Sequence, residues 1–395
     1  MDALTTPLPK DWEVKTFRDI STINQGLQIP ISQRLKAPTE HAKSYITIQA
    51  LNNRKEFEYI KTYNESVVCH KDDILMTRTG NTGMVITNIE GVFHNNFFKI
   101  NFDRTLINKD FLVYFLSLEQ TQKTILRKAG TSTIPDLNHN DFYSLSIPLP
   151  PLNEQIAIAN ILSDVDHYLY SLDALILKKE SVKKALSFEL LSQRKRLKGF
   201  NQNWQKVRLG TYKYRRGSFS QPYGNPQWYS DNGMLFVQVY DVGENFKLNQ
   251  KTKQKISKIA QPMSVFVPKN SVIITLQGTI GRVALTQYDC YCDRTILIFD
   301  NNTLNDVNKY FFVLSLFTKF EEEKRKADGS IIKTITKQTL KDFEILLPSL
   351  NEQAAIANIL SALDNEITSL KNKKRQFENI KKALNHDLMS AKIRV

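Results

Sequence analysis

Two short glycine turns contain residues whose types and spacing suit contact with phosphate. Residues 79–83 read Thr-Gly-Asn-Thr-Gly, and residues 278–281 read Gly-Thr-Ile-Gly. Neither turn continues into the Lys-Ser/Thr of a P-loop, and neither has the third glycine of a dinucleotide-binding fingerprint. A tight turn between two strands, which needs glycine, is therefore the favoured interpretation. Arg78 and Gln277 beside the turns still suit contacts to a nucleic-acid backbone or base edge.

Two longer loops have the same character. Residues 130–138 and 328–336 are rich in small and hydroxyl side chains, and each follows a basic stretch, at 127–128 and at 324–326. Hydroxyl and cationic side chains donate hydrogen bonds to phosphate oxygens. Both loops are therefore candidates for phosphate contact.

Catalytic motifs are missing from the sequence. It has no Asn-Pro-Pro-Tyr methyltransferase loop, no Gly-x-Ser-x-Gly elbow and no His-Glu-x-x-His. The six histidines, at 41, 70, 94, 139, 167 and 386, do not recur at equivalent places in the two halves of the chain. The spacings of Cys290-x-Cys292 and Cys69-His70 do not suit a zinc site. We expect no enzyme activity and no metal in this chain.

The elements that position these loops occur twice. The segment 152–163 reads Leu-Asn-Glu-Gln-Ile-Ala-Ile-Ala-Asn-Ile-Leu-Ser, and 350–361 repeats it with one change, 198 residues later. The same spacing relates residues 71–77 to 269–275, whereas Trp12 and Trp204 lie 192 residues apart. A repeat over half the chain predicts two similar globular bodies, each followed by a helical segment.

Composition limits the classes of partner. The 395 residues include 54 Lys and Arg against 40 Asp and Glu, a formal charge of +14 with pI near 9.4. This balance favours a polyanionic partner, although a basic protein without one and a membrane-surface protein are alternatives. No apolar run is long enough to span a bilayer, and the N-terminus does not resemble a secretory signal. Three cysteines indicate a reducing cytoplasm.

The repeated segments predict two long helices. Residues 153–192 contain neither Pro nor Gly, and their length predicts a helix of roughly 60 Å at 1.5 Å per residue. Apolar residues recur every three or four positions from Ile158 to Ile176 and from Ile356 to Leu388, as in a narrow coiled-coil seam. Asn153 and Asn351 are the predicted N-caps. An antiparallel pair of helices is the favoured arrangement, and two helices that each pack on their own body are the alternative.

The two bodies show short β-branched runs, such as 45–48 and 236–239, and apolar helical patches at 111–118 and 310–317. The runs at 71–77 and 269–275 predict buried strands that end at the glycine turns. We predict the α+β class, with two similar α+β bodies separated by two long helices that form an antiparallel coiled coil.

This arrangement resembles the specificity subunit of type I restriction–modification systems. The resemblance rests on the repeated Pro-to-Leu-Asn-Glu-Gln helix, on the turns at 80–83 and 278–281, on residues 132–138 and on the closing segment 391–395, and it covers essentially the whole chain. The second copy departs from the family pattern at residues 331–334. The resemblance implies recognition domains at 1–150 and 199–347 and helical spacers at 151–198 and 348–395.

Such a subunit implies double-stranded DNA as ligand, with each recognition domain reading one half of a bipartite site while the helices set the spacing. It also implies two methyltransferase subunits, which bring S-adenosylmethionine, and restriction subunits that use ATP and magnesium. We expect no cofactor in this chain, a cytoplasmic location and no membrane partner.

Residues shared by both bodies do not distinguish two different half-sites, so base contacts belong to positions where the copies differ. The candidates for DNA contact are Arg34, Arg78, Thr79, Asn81, Thr82, Lys128, Thr131, Ser132, Thr133 and Asn138 in the first body, and Arg215, Arg216, Gln277, Thr279, Arg282, Lys326, Ser330 and Lys333 in the second. The candidates for helix packing or subunit docking are Glu154, Gln155, Ala157, Ile158, Leu162, Glu352, Gln353, Ala355, Ile356 and Leu360. The alternatives to this function are a coiled-coil adaptor without sequence preference and a nuclease with an unrecognised site.

Overall fold

The structure, a computed structural model, describes residues 8–52, 58–219, 221–243, 245–278, 280–326 and 337–395. The chain divides into two compact units. The first contains the N-terminal part of the chain as far as Leu175 together with Leu370–Val395, and the second contains Ile176–Ser369. Each unit therefore contains one body and one half of each long helix. The predicted domain boundaries, which follow the sequence repeat, stay a prediction.

The first body is built from short strands and short helices. Its strands are β1 (Glu13–Thr16), β2 (Ser21–Gln25), β3 (Lys43–Ile46), β4 (Glu58–Ile60), β5 (Val68–Cys69), β6 (Ile74–Thr77), β7 (Val85–Ile86), β8 (Gly91–Phe93), β9 (Phe97–Phe102) and β10 (Ser146–Leu149). Its helices are α1 (Phe17–Ile20), α2 (Ile48–Asn52), α3 (Lys109–Leu116), α4 (Glu119–Ala129) and α5 (His139–Tyr143), and the long helix α6 (Leu152–Leu191) follows. The strands form the sheets β2-β9-β6-β7 and β4-β3-β8-β5 and the pair β1-β10.

The second body repeats this topology. Its strands are β11 (Gln205–Arg208), β12 (Tyr214–Arg216), β13 (Tyr229–Val237), β14 (Gln254–Ile256), β15 (Val265–Val267), β16 (Val272–Thr275), β17 (Val283–Leu285), β18 (Cys290–Cys292), β19 (Ile296–Phe299) and β20 (Glu344–Leu347). Its helices are α7 (Lys309–Lys326) and α8 (Lys337–Asp342), and the long helix α9 (Leu350–Met389) follows. The sheets β12-β19-β16-β17 and β14-β13-β18-β15 and the pair β11-β20 match those of the first body strand for strand. In both bodies one pairing is parallel, β3 with β8 and β13 with β18.

The central strand of each body separates two cores. Every residue of β6 is buried, as the sequence predicted, because the side chains alternate between two apolar layers. Ile74 and Met76 pack in the core formed with the helices, and Leu75 packs in the core of the second sheet. In β16, Ile274 and Ile273 divide in the same way. Two packed layers on each central sheet make the glycine turns at its end well fixed.

The two long helices run in opposite directions within each unit. In the first unit, Lys381 and Lys374 of α9 lie 2.5 and 2.7 Å from Asp166 and Asp173 of α6. Residue numbers therefore rise along one helix as they fall along the other. The predicted seam is confirmed, since Ile158, Leu162, Leu172 and Ile176 of α6 and Ile356, Leu360, Ile367 and Leu388 of α9 are buried.

Both predicted arrangements of the helices are present. The first turns of α6 pack on their own body, where Ile158, Ala159 and Leu162 join the helical core, and the second half of α9 packs beside them. The N-cap prediction was wrong. Each helix begins one residue earlier, at Leu152 and Leu350, because the carbonyl oxygens of Pro151 and Ser349 already accept N–H groups of the first turn. None of the helices in the described ranges is long and apolar enough to cross a membrane.

Candidate nucleic-acid interface

The two glycine turns join neighbouring antiparallel strands in the manner favoured from the sequence. Gly80 and Gly278 have φ angles of 66° and 69°, which favour glycine. A buried threonine closes each turn: the Thr77 hydroxyl donates to the Asn81 carbonyl oxygen at 2.5 Å, and the Thr275 hydroxyl accepts from the Arg282 amide at 3.0 Å. A hydrogen bond of the buried threonine therefore fixes the base of each turn.

In the first body the glycine turn meets the hydroxyl-rich loop, which the sequence did not indicate. The Arg78 guanidinium lies 2.6 Å from the Asp136 carboxylate, and the Leu137 amide donates to the Arg78 carbonyl oxygen at 2.8 Å. The Thr82 hydroxyl, which is buried, donates to the Pro135 carbonyl oxygen at 2.6 Å. The Thr82 hydroxyl and the Arg78 guanidinium therefore hold the two loops together. Fewer of their hydrogen-bonding groups remain for a ligand.

Four other candidates have structural partners. Arg34 is half-buried and binds Glu58 at 2.9 Å and the Ile29 carbonyl oxygen at 2.8 Å. Asn138 is the N-cap of α5, where its Oδ1 atom accepts from the Asp141 amide. The remaining half-buried candidates are Thr79, Lys128 and Arg282, of which Lys128 donates to Ser144 and Arg282 donates to Val242. These contacts hold the side chains against the first and second bodies.

Eight candidates are exposed to solvent, although Asn138 caps α5 and Arg216 donates to the Arg294 carbonyl oxygen. They are Asn81, Thr131, Ser132, Thr133 and Asn138 in the first body, and Arg215, Arg216 and Gln277 in the second. Arg215 also donates to the Phe266 carbonyl oxygen at 2.9 Å. Thr279, Ser330, Lys333 and the Lys326 side chain lie outside the described part of the structure. DNA contact by any of these residues stays a prediction.

Two recesses of the first body contain polar residues that sequence reasoning missed. One, of about 570 Å³, is lined by Arg34, Gln49, Asn52, His94 and Asn96 among others. The second, of about 420 Å³, is lined by Gln25, Arg78 and the start of α5 at residues 138–141. Burial and the Arg34 guanidinium lower the pKa of His94, so the ring is neutral at pH 7.

The tautomer of His94 follows from its contacts. The Asn96 amide points at Nδ1 at 3.2 Å, so Nδ1 accepts and the proton of the neutral ring sits on Nε2. Asparagine, glutamine and a neutral histidine together offer both donors and acceptors, which is the chemistry that base edges require. Gln49 and Asn52 lie in α2, whereas His94 and Asn96 lie between β8 and β9, so only the folded chain brings these residues together.

The repeated Leu-Asn-Glu-Gln motif forms a buried ion pair in each unit. Glu352 is 1% exposed and accepts two hydrogen bonds of 2.9 Å from Arg196. Glu154, 5% exposed, accepts from Arg394 at 3.1 and 2.8 Å. Arg196 and Arg394 are equivalent in the repeat and each follows a long helix, so each pair joins the start of one helix to the end of the other.

The glutamine of the motif also makes fixed hydrogen bonds, in this case to backbone groups. Gln155 Nε2 donates to the carbonyl oxygens of Leu106 and Pro150 at 3.0 and 2.9 Å, and its Oε1 accepts from the Asn108 amide at 2.8 Å. Gln353 makes the same three bonds with Asp306, Pro348 and Asn308. The candidates Glu154, Gln155, Ile158, Leu162, Glu352, Gln353, Ile356 and Leu360 are buried, whereas Ala157 and Ala355 are half-buried. Their burial suits helix packing.

The side chains that commonly bind metal ions are scattered in the parts of the two units that the structure covers. Among the described residues, no three His, Cys, Asp or Glu side chains are grouped to hold a metal ion. The three cysteines are buried, and burial raises the pKa of the Cys69 thiol to about 12. A thiol with so high a pKa is a poor nucleophile at neutral pH.

Comparison with known proteins identifies the family. Residues 9–180 and 228–379 match the family described as "Type I restriction modification DNA specificity domain". The chain belongs to this family. The chain is 26% identical over 416 residues to the type I restriction enzyme MjaVIII specificity subunit of Methanocaldococcus jannaschii, with 98% of this chain and 94% of that protein covered.

Solved structures share the fold of this specificity-subunit chain. The S subunit of a type I restriction–modification system from M. genitalium matches with a TM-score of 0.61 at 17% identity, covering 97% of this chain and 98% of that one. The HsdS subunit from Thermoanaerobacter tengcongensis matches with a TM-score of 0.50 at 18% identity, covering 98% and 99%. The resemblance and the predicted fold class are both confirmed.

Proposed function

We propose that this specificity subunit is the non-catalytic DNA-reading component of a type I restriction–modification complex. Each body reads one half of a bipartite site in double-stranded DNA, and the two long helices set the distance between the half-sites. One observation carries the proposal: the buried Glu–Arg pairs and Gln contacts are repeated in both units, whereas the exposed polar residues of the two bodies differ. A duplicated frame with unlike exposed faces suits an asymmetric target.

The helices also dock two methyltransferase subunits. Val182 and Ile380 occupy equivalent positions of the repeat, each in a Lys-Lys-Ala-Leu context, and are 45% and 50% exposed. An apolar residue repeated at an exposed position leaves much of its surface uncovered in both units, so it suits a partner that binds twice. S-adenosylmethionine, ATP and magnesium belong to the methyltransferase and restriction subunits.

Sequencing of methylated DNA tests the proposal. The full chain is expressed with its methyltransferase subunit, and the first body is exchanged for that of a relative at residues 1–150. We expect one half-site to change and the other to stay. A change in both half-sites, or in neither, overturns modular reading, and an absence of sequence preference favours the adaptor. Metal-dependent DNA cleavage by the purified chain alone overturns the non-catalytic assignment.

An insertion tests the spacing. Seven residues, added to α6 after Leu175 and to α9 after Ser369, keep the heptad seam and lengthen each helix by about 10 Å. We expect the half-sites to move apart by roughly three base pairs while their sequences stay the same. An unchanged spacing contradicts the role of the helices.

A further inference from the structure

The turns after β8 and β18 have the same backbone arrangement in the two bodies but carry different side chains. At Gly26, which follows β2, an added Cβ atom would collide with the carbonyl oxygens of Phe93 and His94. Gly217, which follows β12, meets the carbonyl oxygens of Cys292 and Asp293 in the same way. The two glycines therefore mark the same close approach of a strand end to the turn after β8 or β18. This approach aligns Gln25 with Arg216, and Asn95 with Arg294.

The aligned side chains make the same contact. Gln25 Nε2 donates to the Asn95 carbonyl oxygen at 3.2 Å, and Arg216 Nε donates to the Arg294 carbonyl oxygen. The turn is thus held from the same neighbouring strand in both bodies. The side chain at the tip of that turn is free to differ, and it is an amide in one body and a guanidinium in the other.

In the first body the amide at the tip is incompletely bonded. Asn95 Nδ2 donates to Gln28 Oε1 over a long 3.4 Å, and no described residue donates to the buried Asn95 Oδ1 atom. A buried acceptor without a donor is unfavourable, so the Asn95 amide would be stabilised by a ligand that donates to Oδ1 and accepts from Nδ2. Two recesses, of about 570 and 420 Å³, adjoin this turn, since Asn96 lines the first and Gln25 lines the second.

In the second body the tip is a cation without a carboxylate partner. Arg294 is exposed, and its guanidinium lies 5.1 Å from the centroid of the Tyr223 ring. Within the described ranges, no carboxylate pairs with Arg294 or Arg216, and the Tyr223 hydroxyl has no partner. Stacking on an aromatic ring orients the planar guanidinium without using its N–H groups.

We propose that Asn95 and Arg294 are equivalent base-reading residues, and that Asn95 selects adenine in one half-site while Arg294 selects guanine in the other. An asparagine side chain forms two hydrogen bonds with one adenine, at N6 and N7. An arginine side chain forms two hydrogen bonds with one guanine, at O6 and N7. Gln25 and Arg216 act as positioning residues through the turn. The proposal rests on the proposed function, which it extends to the bases read.

Selection from a randomised double-stranded DNA library tests the proposal with the full chain bound to its methyltransferase subunit. We expect Arg294→Asn to weaken guanine preference at one position of one half-site by about tenfold to a hundredfold, and Asn95→Arg to replace adenine by guanine in the other. Arg208→Asn, at an exposed arginine of β11, is the control and leaves both half-sites unchanged. The unaltered half-site shows that each variant folds and assembles.

The outcomes separate the two proposals. A wild-type complex that selects a bipartite site while both variants keep every base overturns the reading role and leaves the proposed function intact. A wild-type complex without sequence preference overturns the proposed function itself. Arg294→Lys keeps the charge and loses the paired geometry, so we expect affinity to stay and guanine preference to fall. Full guanine preference in Arg294→Lys contradicts paired readout.

Discussion

The two units keep the same buried Glu–Arg pair but support it differently. In the first unit, the Trp12 indole N–H also donates to Glu154 at 3.1 Å, and Arg394 reaches a second carboxylate, Asp11, at 2.7 Å. In the second unit, the Arg196 guanidinium lies 5.8 Å from the centroid of the Trp204 ring, and no described residue accepts from the Trp204 indole N–H. The repeat preserves the charge pair, while the tryptophan changes from a hydrogen-bond donor to a stacking partner.

This difference makes the second pair the more vulnerable one. Arg196→Ala leaves Glu352 buried without its cation, and we expect the second unit to lose about 3–5 kcal/mol. Arg394→Ala leaves Glu154 with the Trp12 donor, so we expect a smaller loss. Native-state hydrogen exchange reports each unit separately. Arg194→Ala, at an exposed neighbour, is the control, and equal losses in Arg196→Ala and Arg194→Ala would refute the importance of the pair.

The tryptophans give the next largest contrast. Trp12→Phe removes a hydrogen bond to a buried carboxylate, and we expect a loss of about 1.5–3 kcal/mol in the first unit. Trp204→Phe removes a buried N–H that lacks a described partner, and we expect a loss of less than about 1 kcal/mol. Each variant is the matched control of the other, since both residues are largely buried. A greater loss in Trp204→Phe would reverse the comparison.

A second repeated contact is made from different positions. The Tyr114 hydroxyl donates to Asp166 at 2.8 Å, and the Tyr310 hydroxyl donates to Asp364, the equivalent aspartate. Counted from the equivalent N-caps Asn108 and Asn308, the two tyrosines lie one helical turn apart. Residues four apart share a helix face, so both hydroxyls reach the same place. Burial and the nearby aspartate raise the pKa of both tyrosines, which keeps the hydroxyls protonated.

The shared face predicts a rescue. Tyr114→Phe is expected to lower the stability of the first unit by about 1–2 kcal/mol through the lost bond to Asp166. A double variant, Asp110→Tyr with Tyr114→Leu, copies the second body and restores part of that stability. Thermal unfolding with hydrogen exchange of α3 measures both. Asp110→Tyr alone is the control, and a double variant no better than Tyr114→Leu would show that the turns are not interchangeable.

The sequence predicted the features that depend on local periodicity. The length of the long helices, their apolar seams and the buried central strands follow from residues close together in the chain, and the duplication follows from comparing its two halves. The contact between Arg78 and Asp136 joins residues 58 positions apart, and the alignment of Asn95 with Arg294 depends on a strand passing a turn. No local pattern encodes such contacts. The N-cap prediction was wrong because asparagine suits the cap by type, whereas the preceding proline and serine carbonyl groups already begin the helix.

The smallest expected difference between the two units is in how their stability depends on acidic pH. The second unit, residues 176–369, contains no histidine, whereas the first contains His94, whose pKa is lowered by burial and then by the Arg34 guanidinium. Glu58, which binds Arg34, and the Tyr45 ring also face this site. A lowered folded pKa means that the unfolded chain takes up the proton first as pH falls. The contribution of neutral His94 to the stability of the first unit is therefore fully present above about pH 6.5. It is lost as the pH falls towards the pKa of His94 in the folded state.

We expect hydrogen exchange in the first body to speed up between pH 7.5 and 5.5, after correction for intrinsic rates, and His94→Gln to remove part of that dependence. His41→Gln is the matched control, because the His41 side chain is highly exposed and lies beside the equally exposed Glu40. An NMR titration of the imidazole measures the folded pKa directly. A value at or above 6.5 would show that the recess beside Arg34 is open to water. The pH dependence of stability inferred for the first body would then be wrong.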